Sequence, residues 1–118
     1  MSRLRFTLAV CAAALVAAGG SSAATPKLAA HVGPDSSFKI SLTKGGKKVT
    51  KLKPGKYVIV VTDTSKLHNF HLKGPGINKK TSVTGKATST STVTLKKGKY
   101  TYLCDPHAAI MHGSFTVS

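Results

Sequence analysis

An all-β fold, an antiparallel β-sandwich with Greek-key links, is what this sequence predicts, and three observations predict it. Short β-branched or alternating apolar runs recur, separated by Gly- and Pro-containing turns about every ten residues. No window carries helical periodicity of any length. The chain has 118 residues, of which 41% are hydrophobic, enough for one packed domain and too few for a multidomain enzyme.

The N-terminal stretch stands apart from that pattern. Arg3 and Arg5 precede an uncharged apolar run over residues 6–18, and small residues follow through Ala24. This is the layout of a secretory signal peptide, and the run is shorter than the ~20 residues of a membrane-spanning helix. The expected organisation is a signal peptide over 1–24 and a single domain over 25–118. The mature chain is then expected to be exported, to the periplasm or to the extracellular space and cell envelope, and to have no transmembrane segment. Cys11 leaves with the peptide. Lipid modification at Cys11 is the competing reading, weakened by the bulk of Val10 and by the apolar run that continues past it.

The strands follow in order. Phe38, Ile40 and Leu42 alternate with Ser37, Lys39 and Ser41, the period of a half-buried strand. Gly45-Gly46 makes a turn. Residues 56–62 are nearly all apolar and β-branched, which suits a central strand. Residues 67–72 form another short strand, broken by Gly74-Pro75-Gly76. Residues 78–97 have the composition of a linker, but parity argues for a strand over 86–95. Ala87, Ser89, Ser91, Val93 and Leu95 share one face, and four threonines occupy the other. Residues 100–104 and 114–117 complete the set, and Ala108-Ala109-Ile110 suits a turn. The segment 52–57 (Leu-Lys-Pro-Gly-Lys-Tyr) is echoed at 95–100 (Leu-Lys-Lys-Gly-Lys-Tyr), a tight turn feeding a strand in each half.

Composition excludes several chemistries. There is no Glu, and the acids are Asp35, Asp63 and Asp105 alone, so paired-carboxylate hydrolysis is hard to build. Cysteine usage is more pointed. After export the chain keeps only Cys104, in a compartment where disulfides form. A lone exported cysteine is a reactive thiol, an intermolecular bridge or a metal ligand.

Cys104 closes one strand, with His107 three residues on and Met111 four residues beyond that. Upstream, His68 is expected on a strand that pairs nearby. One thiolate, two imidazoles and one thioether would then meet at one tip of the sandwich. Soft sulfur and imidazole together select copper, and two His, one Cys and a weak axial Met make an electron-transfer site. The short Cys-x2-His loop, stiffened by Pro106, presents two donors to one ion. With every position filled, the arrangement suits a carrier rather than an oxidase.

Residues 56–118 resemble the plastocyanin/azurin family of small cupredoxins. The matching residues are His68-Asn69-Phe70, then Tyr102-Leu103-Cys104-Asp105-Pro106-His107, then Met111 and Gly113-Ser114-Phe115-Thr116-Val117. The resemblance implies a cupredoxin-like fold and one Cu(I)/Cu(II) ion held equatorially by His68, Cys104 and His107 and axially by Met111. It also implies single-electron shuttling between larger redox proteins. Asn69 would tie the His68 strand to the ligand loop by hydrogen bonds. Residues 25–55 carry little of the resemblance, and His112, beside Met111, offers a rival axial or secondary donor.

The remaining assignments are plainer. His71 is expected opposite His68, on the surface or in a structural role; His31 and His112 are expected in solvent; Phe70, Tyr102 and Phe115 are expected in the core. Lysines keep a small domain soluble, and they would also steer it toward an acidic redox partner, anionic lipid headgroups or wall polymers. Nucleic acid is excluded by export, by the loss of both arginines with the signal peptide and by the lack of interleaved aromatics. The expected state is a monomer without catalytic residues. Copper storage or delivery with the same ligands is the alternative function. A Cys104 hydrolase lacks an evident third member, zinc does not suit a Met ligand, and a multicopper oxidase needs more chain and His-x-His pairs.

Overall fold

The computed structural model describes residues 24–34, 37–85 and 87–118. The expected signal peptide, with Cys11, lies outside the described residues except for Ala24. Ten strands are described: β1 (Lys27–Val32), β2 (Ile40–Lys44), β3 (Lys47–Lys48), β4 (Lys51–Leu52), β5 (Gly55–Asp63), β6 (His71–Gly74), β7 (Ile77–Lys80), β8 (Thr88–Leu95), β9 (Gly98–Leu103) and β10 (His112–Val117). They form two five-stranded sheets, ordered β3-β2-β1-β5-β8 and β4-β10-β9-β6-β7.

The sandwich is as expected, but its sheets are mixed rather than purely antiparallel. β1 runs parallel to β5, with Val32 opposite Asp63, and β10 runs parallel to β4, with Val117 opposite Leu52. Parallel neighbours need a long crossover. Between the first pair the chain forms β2 and β3 in the same sheet and then β4 in the other before it returns as β5. β1 is a strand that the sequence reading passed over, although Leu28, Ala30 and Val32 alternate and are all buried.

Long strands formed where the pattern was strongest. β5 buries every second residue from Tyr57 to Asp63. β8 buries Val93 and Leu95 and leaves its threonines exposed, as the parity required. Burying a Val or Leu side chain contributes about 1.5–3 kcal/mol, so these alternations dominate the choice of face. Tyr100 and Phe115 stack at 5.3 Å across β9 and β10, and Phe70 stacks on Tyr102 at 5.7 Å.

The echoed turns behave alike. Tyr57 O–H donates to the Lys53 carbonyl at 2.8 Å, and Tyr100 O–H donates to the Lys96 carbonyl at 3.1 Å. Each phenol thus latches the turn that feeds its own strand. Register places both turns at the same end of the sandwich, since Gly55 pairs Leu95 and Gly98 pairs Val117.

Candidate metal centre

The opposite end carries the sulfur and imidazole donors. β9 stops at Leu103, Cys104 follows, and Asp105–His107 form a single 3-10 turn with Pro106 inside it. The loop closes on itself through the main chain. Cys104 N–H donates to Met111 C=O at 3.0 Å, His107 N–H to Cys104 C=O at 3.0 Å, and Met111 N–H to His107 C=O at 2.8 Å. Cys104 and Met111 are fully buried, while His107 is half-buried.

His68 arrives from the other side, and not from a strand. The sequence reading placed it on a strand over 67–72, whereas β6 begins only at His71. Side chains have replaced the ladder here. Thr64 O–H donates to Gly33 C=O, Asp63 Oδ1 accepts from Ser65 N–H, and Ser65 Oγ accepts from Leu67 N–H. Such local bonds compete with sheet pairing. Gly33, at φ +61°, makes the approach possible, because a Cβ there would collide with the His68 ring.

The three donors converge. His68 Nδ1 and His107 Nδ1 lie 3.2 Å apart, and Cys104 Sγ lies 3.7 Å and 3.6 Å from them. A point equidistant from these three atoms is roughly 2.0 Å from each, the length of a metal–imidazole bond. Two ring nitrogens and one thiol sulfur facing a common point suit copper. No carboxylate shares that group among the described residues.

A second layer braces the donors. Asn69, 1% exposed, accepts from Asp105 N–H through Oδ1 and donates through Nδ2 to Asp105 Oδ2 and to Thr81 C=O. The expected tie between the His68 segment and the ligand loop is therefore present. His71 was expected at the surface or in a structural role, facing away from His68. It is buried, and its Nδ1 donates to Asp105 Oδ1 at 2.8 Å while Nε2 meets Asn78 Oδ1. Of the two expected roles it takes the structural one, bracing Asp105, and residues 68–70 lie outside the strand. Burial pushes the Asp105 carboxyl up, but hydrogen bonds from His71 and Asn69, with His71 and Lys80 charge nearby, outweigh it and hold the group below its ordinary range.

Phe38 is the other residue that sequence reasoning misplaced. It precedes β2, is 52% exposed, and sets its ring edge-on against His107 at 5.0 Å and His68 at 5.4 Å. Only long-range geometry brings it there. His31 and His112 are exposed as expected, with His112 Nδ1 donating to Ala108 C=O. Asp63 is buried at the same end. Desolvation raises its pKa, opposed by the Ser65 amide and the nearby His68, and its Oδ2 has no partner among the described residues.

Comparison with known proteins agrees with this geometry. The family described as copper-binding proteins, plastocyanin/azurin family, matches residues 41–118. Among solved structures, a methionine-to-glutamine mutant of rusticyanin is 22% identical, covers 82% of this chain and 80% of its own, and superposes with a TM-score of 0.57. Reduced rusticyanin is 24% identical over 83% of this chain and 82% of its own, with a TM-score of 0.53. Rusticyanin from Thiobacillus ferrooxidans is 22% identical over 82% and 79%, with a TM-score of 0.52. At these identities the likeness is one of fold. No curated protein sequence matches the chain.

Proposed function

Because this chain belongs to the plastocyanin/azurin family of copper-binding proteins, we propose that it is an exported type 1 copper protein that shuttles single electrons between larger redox proteins. Its cofactor is copper, which supplies the one-electron couple. In this reading His68, Cys104, His107 and Met111 would hold the ion.

The observation that carries the reading is the triangle of two imidazole nitrogens and one sulfur at 3.2, 3.6 and 3.7 Å. Donors from two separated stretches of chain meet only if the fold brings them together, and the Asn69–Asp105 bonds hold the stretches in register. Burial of Cys104 and Met111 keeps solvent off the sulfur donors, so less water has to reorient when the charge at the site changes. His107 is the half-buried donor, beside exposed Ala108, Ala109 and Ile110, and offers the short route to a partner. Among the described residues no helix is long and apolar enough to cross a membrane.

The test is addition of Cu(II) to the purified protein, followed by visible and EPR spectra and a redox cycle. One Cu(II) per chain, an intense thiolate-to-copper band and reversible one-electron cycling are expected. A chain that retains only Cu(I), without the band, would be a copper store or delivery protein instead.

A further inference from the structure

The lysines are unevenly placed. Lys44, Lys47, Lys48, Lys51, Lys53 and Lys56 line one open cleft of about 920 Å³, formed where β2, β3, β4 and the start of β5 come together. Lys96, Lys97 and Lys99 stand at the same end, in the β8–β9 turn and the start of β9, because Leu95 pairs Gly55 and Lys99 pairs Thr116. All nine are exposed. The described acidic side chains, Asp63 and Asp105, lie at the other end, beside the metal centre. Ser118 also lines the cleft.

This end also lacks what a protein partner requires. Among the described residues the exposed large hydrophobic side chains are Phe38, Leu67 and Ile110, all at the metal end. Specific protein interfaces place aromatic and apolar anchors at a dehydrated centre; Val49, Leu52 and Tyr57 form the floor of the cleft but are buried, and among the described residues no large hydrophobic side chain stands exposed between these lysines. The bases are all lysine, so no bidentate fork is available for reading a particular carboxylate or base. A broad array of point charges without apolar anchors suits a surface whose own charges are many, mobile and unspecific.

We propose that the lysine-bearing end docks the protein electrostatically on an anionic phospholipid surface. Docked this way, the molecule stands with Cys104 and His107 directed away from the lipid, and the metal centre stays free for a redox partner. The proposal uses only the position of the donors and not the electron-carrier reading.

The test mixes the copper-loaded full chain with vesicles of phosphatidylglycerol and phosphatidylcholine, or of phosphatidylcholine alone, and sediments them. Binding to the anionic vesicles only, released by high salt, is expected. Each lysine near an anionic surface is worth about a factor of five in partitioning. The quadruple change Lys47→Gln, Lys48→Gln, Lys51→Gln, Lys53→Gln should therefore weaken binding by on the order of 100-fold or more. An equal charge loss at the metal end (Lys39→Gln, Lys66→Gln, Lys79→Gln, Lys80→Gln) should weaken it far less. On the unaltered chain, amine acetylation read by mass spectrometry should show the cleft lysines protected by vesicles and Lys66, Lys79 and Lys80 still reactive. Equal loss in both quadruple variants, or uniform protection, overturns the proposal. So does binding to phosphatidylcholine alone, which would assign it to the apolar N-terminal run. Stronger binding to free polyphosphate than to vesicles at equal phosphate would assign the end to a soluble polyanion and overturn it as well.

Discussion

Asn69 and Asp105 bond each other twice. Asn69 Oδ1 accepts the Asp105 amide and Asn69 Nδ2 donates to Asp105 Oδ2, each at 2.8 Å. Each residue directly follows a proposed ligand, so this pair joins the two chain segments that carry His68 and Cys104. Asn69→Ala leaves a main-chain N–H and a carboxylate oxygen without their partner. It should destabilise the fold by about 2 kcal/mol and weaken copper binding by about 10- to 100-fold. Thermal unfolding and a competitive copper titration measure the two effects. Unchanged copper affinity would show that the pair does not position the donors.

Met111→Gln should keep the thiolate-to-copper band and lower the reduction potential, because the axial donor tunes the potential while sulfur and imidazole make the colour. Cys104→Ala should abolish the band. Visible spectra with a redox titration decide both, and an unchanged potential in the Gln variant would remove Met111 from the ligand set.

Gly33→Ala should displace the His68 ring while leaving the sandwich intact, since Gly33 lies in the connection after β1 rather than in a strand. The expected result is a folded chain by circular dichroism with copper affinity reduced at least tenfold. Full affinity would mean that the ring shifts without losing its place.

Asp63 gives a pH dependence with a definite sign. Its folded pKa is raised, mainly by desolvation, above the unfolded value of ~3.9. The buried carboxylate therefore costs stability at neutral pH. That cost fades as pH falls through the folded pKa, and it is gone below the unfolded one. Asp63→Asn should raise the stability of the metal-free chain by about 1 kcal/mol near pH 7, with the gap to the unaltered chain closing toward pH 4. Denaturant midpoints across that range check it, and a gap that widens on acidification would contradict the assignment.

Local pattern carried much of this architecture. The apolar β-branched run of β5, the alternation in β8 and the turn residues between strands are enough to name an all-β sandwich, because side-chain pattern and burial agree where strands are regular. The donor loop was legible for a similar reason, since Cys104, His107 and Met111 are close in sequence and constrained by one turn. The rest depended on contacts between distant segments. Strand parity puts His71 opposite His68, but the amides of Ser65, Leu67 and Phe70 donate to the side chains of Asp63, Ser65 and Thr81, so parity has no ladder to act on. Phe38 was counted as one residue of an alternating face. Its position against two imidazoles comes from packing between segments far apart in sequence. The parallel placement of β1 was invisible for the same cause, since a run of six residues states its burial and not its neighbour.

The two phenol latches acquire a further meaning from where they sit. The carbonyls that Tyr57 and Tyr100 hold belong to Lys53 and Lys96, two of the crowded bases. Like charges gathered on one tip push its loops outward, most strongly in dilute buffer. Those loops are pinned at their backbones by rings rooted in the interior, so the repulsion strains a tethered frame that has little room to spread.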